Sequence, residues 1–210
     1  MFRIETAKLT KGYRKHCEDR VAVFDREERC VIVVADGAGG IGGGELAAEC
    51  VIRAVEEELE SVNSANQWCE VLKRVDHRIT AGESTAAVVD LRSYGIAGAS
   101  VGDSGAWIIH DGEITNLTAD QQRKPLLGSS SALPRPFTHP PLQGLLMLAT
   151  DGFFNYVKRD ALTPMVSQAD FYSIPRRCVE MVRLPSGDLW DDIGIVVARI
   201  PPPGRQPYSI

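Results

Sequence analysis

The chain has 210 residues, 44% of them hydrophobic, enough for one domain with a buried core and too apolar for a disordered chain. The formal charge is −5 and no basic stripe is evident, which argues against a nucleic-acid partner because nothing would neutralise a run of phosphates. The longest apolar runs, 31–35 and Leu145–Ala149, fall far short of the roughly 20 residues that span a bilayer, so no membrane partner is expected.

In chain order, residues 2–9 alternate loosely and predict a strand, followed by strands over 21–24 and 30–35 on either side of the polar turn 25–28. Residues 36–44 are glycine-rich and read as a loop. A helix is predicted from Glu45 to about Val62, with Leu46, Cys50, Ile52, Val55 and Leu59 on its apolar face and Glu56, Glu57, Glu58 and Glu60 in solvent. A second helix runs over 66–79, with Ser64 as N-cap and Trp68, Val71, Leu72 and Val75 as its stripe. Strands over 84–91, 95–101 and 106–109, separated by turns at Arg92-Ser93, Gly102-Asp103-Ser104 and Asp111-Gly112, form a β-meander. Residues 118–143 are polar and proline-rich and read as one irregular connection. Leu145–Ala149 is an apolar strand. Helical pieces over 153–157, 159–166 and 175–183, the last with proline near its start, lead to a final strand over 193–200.

Residues 1–200 are expected to form a single domain, and Pro201-Pro202-Pro203 opens a Pro-rich tail over 201–210. Strands do not alternate one for one with helices. The expected class is therefore α+β with mainly antiparallel sheets, not a doubly wound parallel sheet. The cysteines, Cys17, Cys30, Cys50, Cys69 and Cys178, are odd in number and lack a C-x-x-C pair. They read as free thiols in a reducing compartment. Residues 1–5 lack the layout of a signal peptide, so the expected location is the cytoplasm.

The most informative pattern is a recurrence of acids at strand ends. The strand over 31–35 ends in Asp36-Gly37, that over 96–101 in Gly102-Asp103, and that over 145–150 in Asp151-Gly152. Asp191-Asp192 precede the last strand, and Glu18-Asp19 precede the one over 21–24. One Asp-Gly is most simply a turn. Five such ends in strands that can converge make a carboxylate-rich site, and such groups are costly to bury unless paired or bound to metal. Oxygen donors without a histidine or cysteine pattern suit Mg²⁺ or Mn²⁺ rather than Zn²⁺. Carboxylates shared between two ions would activate water for phosphoryl transfer.

Taken in order, the motifs resemble the metal-dependent (type-2C) protein serine/threonine phosphatases, in a short, bacterial-like form. Arg14 precedes Glu18-Asp19 at the family's spacing, and Asp36-Gly37-Ala38-Gly39-Gly40 follows a strand as in the family. Next come Gly82-Glu83-Ser84-Thr85-Ala86, Val101-Gly102-Asp103-Ser104, Thr150-Asp151-Gly152-Phe153 and Asp191-Asp192-Ile193-Gly194. Each is weak alone, but the ordered set spans residues 14–199.

The resemblance implies a four-layer α-β-β-α sandwich, two mainly antiparallel sheets flanked by helix pairs. It implies a signalling hydrolase that removes phosphate from phosphoserine or phosphothreonine of a phosphorylated protein, acting as a monomer. Two Mn²⁺ or Mg²⁺ ions would be held, directly or through water, by Asp19, Asp36, Asp151 and Asp191 with the Gly37 carbonyl. A weaker third ion would sit at Asp103 and Asp151, as in some members. Arg14 would grip the substrate phosphate with its planar fork, and a metal-bridging hydroxide would attack phosphorus in line. Arg14, Asp36 and Asp151 are thus the expected catalytic residues.

Several positions depart from the family pattern. Ala38 stands where many members have a histidine proposed as general acid; His16 is a substitute or, more simply, an exposed bystander. Asp192 replaces asparagine and would either strengthen metal affinity or repel Asp191, and Gly194 replaces threonine. The substrate-side flap is reduced to about 120–141, where Arg123, Lys124 and Arg135 either meet an acidic phosphoprotein or form a solvated loop. Trp68 and Trp107 read as core, Trp190 as packing or site wall, and Cys17 as a possible point of oxidation. Two other readings stand beside the enzyme. One is a weak or inactive phosphatase-fold module that binds a phosphoprotein. The other is a dinucleotide site at Gly37, Gly39 and Gly42, disfavoured because a second helix, not a second parallel strand, follows the first.

Overall fold

The computed structural model describes residues 4–13, 16–39 and 43–201. Arg14, Gly40, Ile41, Gly42, the start of the first predicted strand and the tail beyond Pro201 lie outside the described residues. In chain order the strands are β1 (Glu5–Lys11), β2 (Arg20–Arg26), β3 (Arg29–Ala35), β4 (Gly37–Ala38), β5 (Glu83–Ser84), β6 (Ala86–Arg92), β7 (Gly95–Val101), β8 (Gly105–His110), β9 (Glu113–Asn116), β10 (Arg135–His139), β11 (Leu145–Ala149) and β12 (Ile193–Arg199). The helices are α1 (Gly43–Glu57), α2 (Ala65–Arg78), α3 (Asp151–Phe154), α4 (Arg159–Gln168) and α5 (Ile174–Met181).

The strands form two five-stranded sheets, ordered β1-β12-β11-β8-β9 and β10-β7-β6-β3-β2, and β4 and β5 make a separate small pair. The β3–β6, β6–β7 and β11–β12 pairings that build the sheet centres are antiparallel, which removes the dinucleotide-binding reading. The sheets pack face to face through Ile32, Val34, Val89, Leu91, Leu146, Leu148 and Val196. Alternate residues of the same strands face outward. Val31, Val33, Val88 and Val101 pack on α1 and α2, while Met147, Ile195 and Val197 pack on Phe153, Leu162 and Cys178 of α3, α4 and α5. Burial on both faces is why β3 and β11 read as unbroken apolar runs. The result is the expected four-layer α-β-β-α sandwich. No helix among the described residues is long and apolar enough to cross a membrane.

The first helix differs from its prediction. It starts at Gly43, and its buried stripe is Gly44, Ala47, Ala48, Val51, Ala54 and Val55. Leu46, expected inside, is 56% exposed. The cause is a close approach: a Cβ on Gly37 would run into the Gly44 carbonyl, and one on Gly44 into the Gly37 backbone. A helix held that near a strand must present small residues, so its larger side chain turns away. The helix stops at Glu57, not at Val62, because Arg29 takes the carbonyls of Leu59 and Val62. Arg29 is itself gripped by fully buried Asp90 through Nε (3.1 Å) and Nη2 (2.7 Å).

The segment read as one irregular connection holds more order than expected. β10 pairs with β7 as an edge strand, with Pro136 opposite Ala99. An edge position is where a strand tolerates a residue without an N–H, which is why the sequence pattern concealed it. Before it, Leu127 and Ser84 exchange backbone hydrogen bonds of 3.0 and 2.9 Å. Asp76 of α2, 3% exposed, accepts from the N–H groups of Gly128 (2.7 Å), Ser130 (3.0 Å) and Ala132 (2.9 Å). One carboxylate thus pins the shortened flap to the helix layer. Asp76→Ala leaves three backbone donors without their partner. It is expected to lower unfolding stability by about 3 kcal/mol, measured by chemical denaturation, with faster amide exchange at Gly128, Ser130 and Ala132; Asp76→Asn keeps one acceptor oxygen and loses less.

Candidate metal centre

The acids gather at one end of the sandwich because hydroxyl side chains tie the strand ends together. The Asp36 N–H donates to Thr85 Oγ1 (3.0 Å), and Thr85 Oγ1 lies 2.6 Å from Ser104 Oγ. Ser84 Oγ donates to the Asp36 carbonyl (3.1 Å). These contacts fix the end of β3 against the β7–β8 turn that carries Asp103. Thr150 Oγ1 donates to Asp19 Oδ2 (2.7 Å) and accepts from the Gly194 N–H (2.9 Å), which fixes Asp19 and β12 against the residue before Asp151. A Cβ on Gly194 would lie 2.9 Å from Val21 and 3.6 Å from the Asp19 Cβ, so glycine in place of threonine permits this packing.

One carboxylate oxygen from each of Asp36, Asp103 and Asp151 lies within 4.8 Å of the others. Asp19 adjoins this trio and is 1% exposed, yet its Oδ1 has no hydrogen-bond donor among the described residues. Its neighbour is the Asp36 carboxylate, an acceptor too, so the pair must share a proton or a cation. Burial, then the nearby acids, hold Asp36 well above the usual carboxylate range, and burial raises Asp19 against the opposing pull of the Thr150 hydroxyl. Burial and the charges of Asp103 and Asp191 push Asp151 up to about 6. A crowded, partly buried, all-oxygen donor set with an orphaned acceptor fits hard divalent cations. Asp191 is exposed at the rim and accepts from the Asp192 N–H (2.9 Å), while Gly37 is held beside Asp36 by the pairing of β4 with β5.

Other expected residues fall differently. Asp192 lies outside the acidic trio, and beyond burial its charge helps to raise the neighbouring Asp19 carboxyl. Asp192 is buried, and its Oδ1 and Oδ2 accept from the N–H groups of Tyr13 (2.9 Å) and Glu18 (2.6 Å). It therefore clasps both ends of the stretch in which Arg14 lies; Arg14 itself is outside the described residues. Arg123 is exposed and pairs with the rim of the cluster, 2.6 Å from Asp103 and 3.8 Å from Asp151. Burial, then the charges of Asp192 and Asp19, push the Cys17 thiol up to about 12, which disfavours the thiolate that oxidants attack. His16 is exposed. Trp190 is 56% exposed and stacks on Tyr156 at 5.6 Å. Sequence reading missed Asn155, whose Nδ2 donates to Asp151 Oδ2 (2.9 Å); its i+4 spacing from Asp151 was the available signal.

The sequence profile of the Protein phosphatase 2C family matches residues 11–181. The chain belongs to that family. Among solved structures, a bacterial serine phosphatase superposes with a TM-score of 0.82 at 19% identity, over 95% of this chain and 98% of that one. The serine/threonine phosphatase of S. agalactiae gives 0.81 at 16%, covering 95% and 100%. The catalytic domain of the serine threonine protein phosphatase PstP, in complex with 2 manganese ions, gives 0.76 at 17%, covering 93% and 97%. At these identities the likeness is one of fold. No curated protein matches the chain by sequence.

Cations and protons compete for the same oxygens. Carboxylates with raised pKa values favour the metal-free fold at low pH, and that contribution is lost as pH rises through their folded values, about 6 for Asp151. Mn²⁺ binding should therefore tighten as pH rises through about 6 and release protons. Calorimetry of EDTA-stripped protein in two buffers of different ionisation enthalpy measures both effects.

Proposed function

We propose that residues 1–200 form one catalytic domain that hydrolyses phosphoserine and phosphothreonine in proteins with Mn²⁺ or Mg²⁺. The observation that carries this reading is the convergence of Asp36, Asp103 and Asp151 within 4.8 Å, beside the orphaned Oδ1 of Asp19. Asp19, Asp36, Asp151, Asp191 and the Gly37 carbonyl would hold two ions, with Asp103 and Asp151 available to a third. When bound, the ions supply an activated water and neutralise charge on the phosphate and leaving oxygens. Arg14 would bind the phosphate through paired N–H donors, and the Asp192 clasp would hold its segment in place. Thr85, Ser104 and Thr150 keep the carboxylates at fixed spacing. Ala38 has no proton to give, so the leaving oxygen takes its proton from water at an open site. Five unpaired cysteines suit the cytoplasm.

Ala38 also motivates the second reading, a module that binds a phosphoprotein without turning it over. Release of phosphate from a phosphothreonine peptide, assayed with EDTA, Mg²⁺ and Mn²⁺, separates the two. Metal-dependent release is expected; none from folded, metal-loaded protein would leave the binding module. Asp151→Asn should lower turnover at least about a hundredfold, since even groups behind metal ligands cost 10–100-fold. Asp192→Ala should instead raise KM about tenfold, the worth of a hydrogen bond to a charged group. Mn²⁺ affinity, measured by calorimetry, should fall by less than KM rises, because the Asp192 N–H that fixes Asp191 remains and only one negative charge near Asp19 is lost.

A further inference from the structure

Beside the acidic cluster lies a cavity of about 250 Å³ whose lining includes Asp103, Trp107, Asn116, Gln121, Asn155 and Arg159. We propose that it is a specificity subsite for an anionic side chain flanking the phosphorylated residue of the substrate, a carboxylate or a second phosphate, with Arg159 as the recognition residue. The proposal rests on the phosphatase reading and names the substrate class of that site.

Arg159 is the cation on the cavity wall, and it makes no ion pair among the described residues. Arg123, by contrast, is committed to Asp103 and Asp151. The Arg159 guanidinium lies 4.7 Å from the centroid of the Trp107 ring. Trp107 is 3% exposed and stacks on Phe154 at 4.2 Å, so the platform beneath the cation is rigid. A charge held in place before binding loses less entropy on meeting its partner than a free surface arginine does.

The cavity is mechanically continuous with the metal centre. Phe154 closes the short helix α3 that Asp151 opens, and Asn155 both lines the cavity and donates to Asp151 Oδ2 (2.9 Å). A phosphorylated side chain over the cluster would thus bring its sequence neighbours to Arg159. Asp103 would oppose an anion, but its charge is offset by Arg123 at 2.6 Å. Lys158 adds a second positive charge next to Arg159 in sequence, against the single negative charge of Asp160. Asn116 Oδ1 accepts from Thr118 N–H (3.0 Å) and Oγ1 (3.1 Å), which leaves the Asn116 NH₂ as a donor.

The test is a set of phosphothreonine peptides with Glu, Gln or phosphoserine at each flanking position, with p-nitrophenyl phosphate as a substrate that has no flank. The full chain, Arg159→Ala and Arg159→Lys are each loaded with Mn²⁺. At one or more positions, the wild-type kcat/KM should favour Glu over Gln by about fivefold, the upper range of a solvent-exposed ion pair. Arg159→Ala should abolish that ratio with p-nitrophenyl phosphate turnover unchanged, and Arg159→Lys should keep part of it. A larger preference for phosphoserine than for Glu would mark the second phosphate as the favoured source of the anion. Equal rates for Glu, Gln and phosphoserine at every position, or a preference that survives Arg159→Ala, would overturn the subsite while leaving the phosphatase standing. Loss of all turnover in wild type, p-nitrophenyl phosphate included, would overturn the phosphatase reading and the subsite with it.

Discussion

The constraint on which the structure depends is mutual repulsion among carboxylates brought to one end of the sandwich. Asp19, Asp36, Asp103 and Asp151 come from four separate segments, and each would move toward solvent if its backbone allowed. Hydroxyl hydrogen bonds prevent this. Thr85 and Ser104 join the end of β3 to the β7–β8 turn, and Thr150 joins Asp19 to Gly194. The sheets supply the stiffness behind these contacts, because β3, β11 and β12 are buried on both faces. The site is therefore a crowded set of carboxylates held by a rigid frame, which is the condition under which a bound cation is worth most.

Around that frame, single buried carboxylates organise loops. Asp76 gathers three N–H groups of the flap, Asp192 gathers one from each end of the 13–18 stretch, and Asp90 holds Arg29 at the end of α1. Each works the same way: a charged acceptor meets backbone or guanidinium donors, and such bonds are stronger than neutral ones. A short member of the family can thus keep loops in position with little secondary structure in them.

The motif resemblance led to the right family, and the alternation of apolar residues led to the right class and most strands. β10 was missed because Pro136 and the polar residues around it mimic a loop, and only the neighbouring β7 reveals an edge strand. The exposure of Leu46 was missed because the approach of Gly37 to Gly44 joins two elements and leaves no trace in helical periodicity. At the site, the strand-end acids were legible one by one, but the clasp by Asp192 and the pairing of Arg123 with Asp103 were not. Both depend on what stands opposite, and a sequence does not state that.

What the sequence by itself determined was the inventory: acids at strand ends, apolar runs that must be buried on both faces, and glycines where the chain turns or is approached closely. Local propensity and solvation suffice for these, since each depends on a residue and its near neighbours. Only the tertiary structure decided which acids meet, which arginine neutralises them and which arginine is left to face a cavity. Coulomb and hydrogen-bond energies fall off over a few ångströms, so they are set by distances that only the folded chain creates.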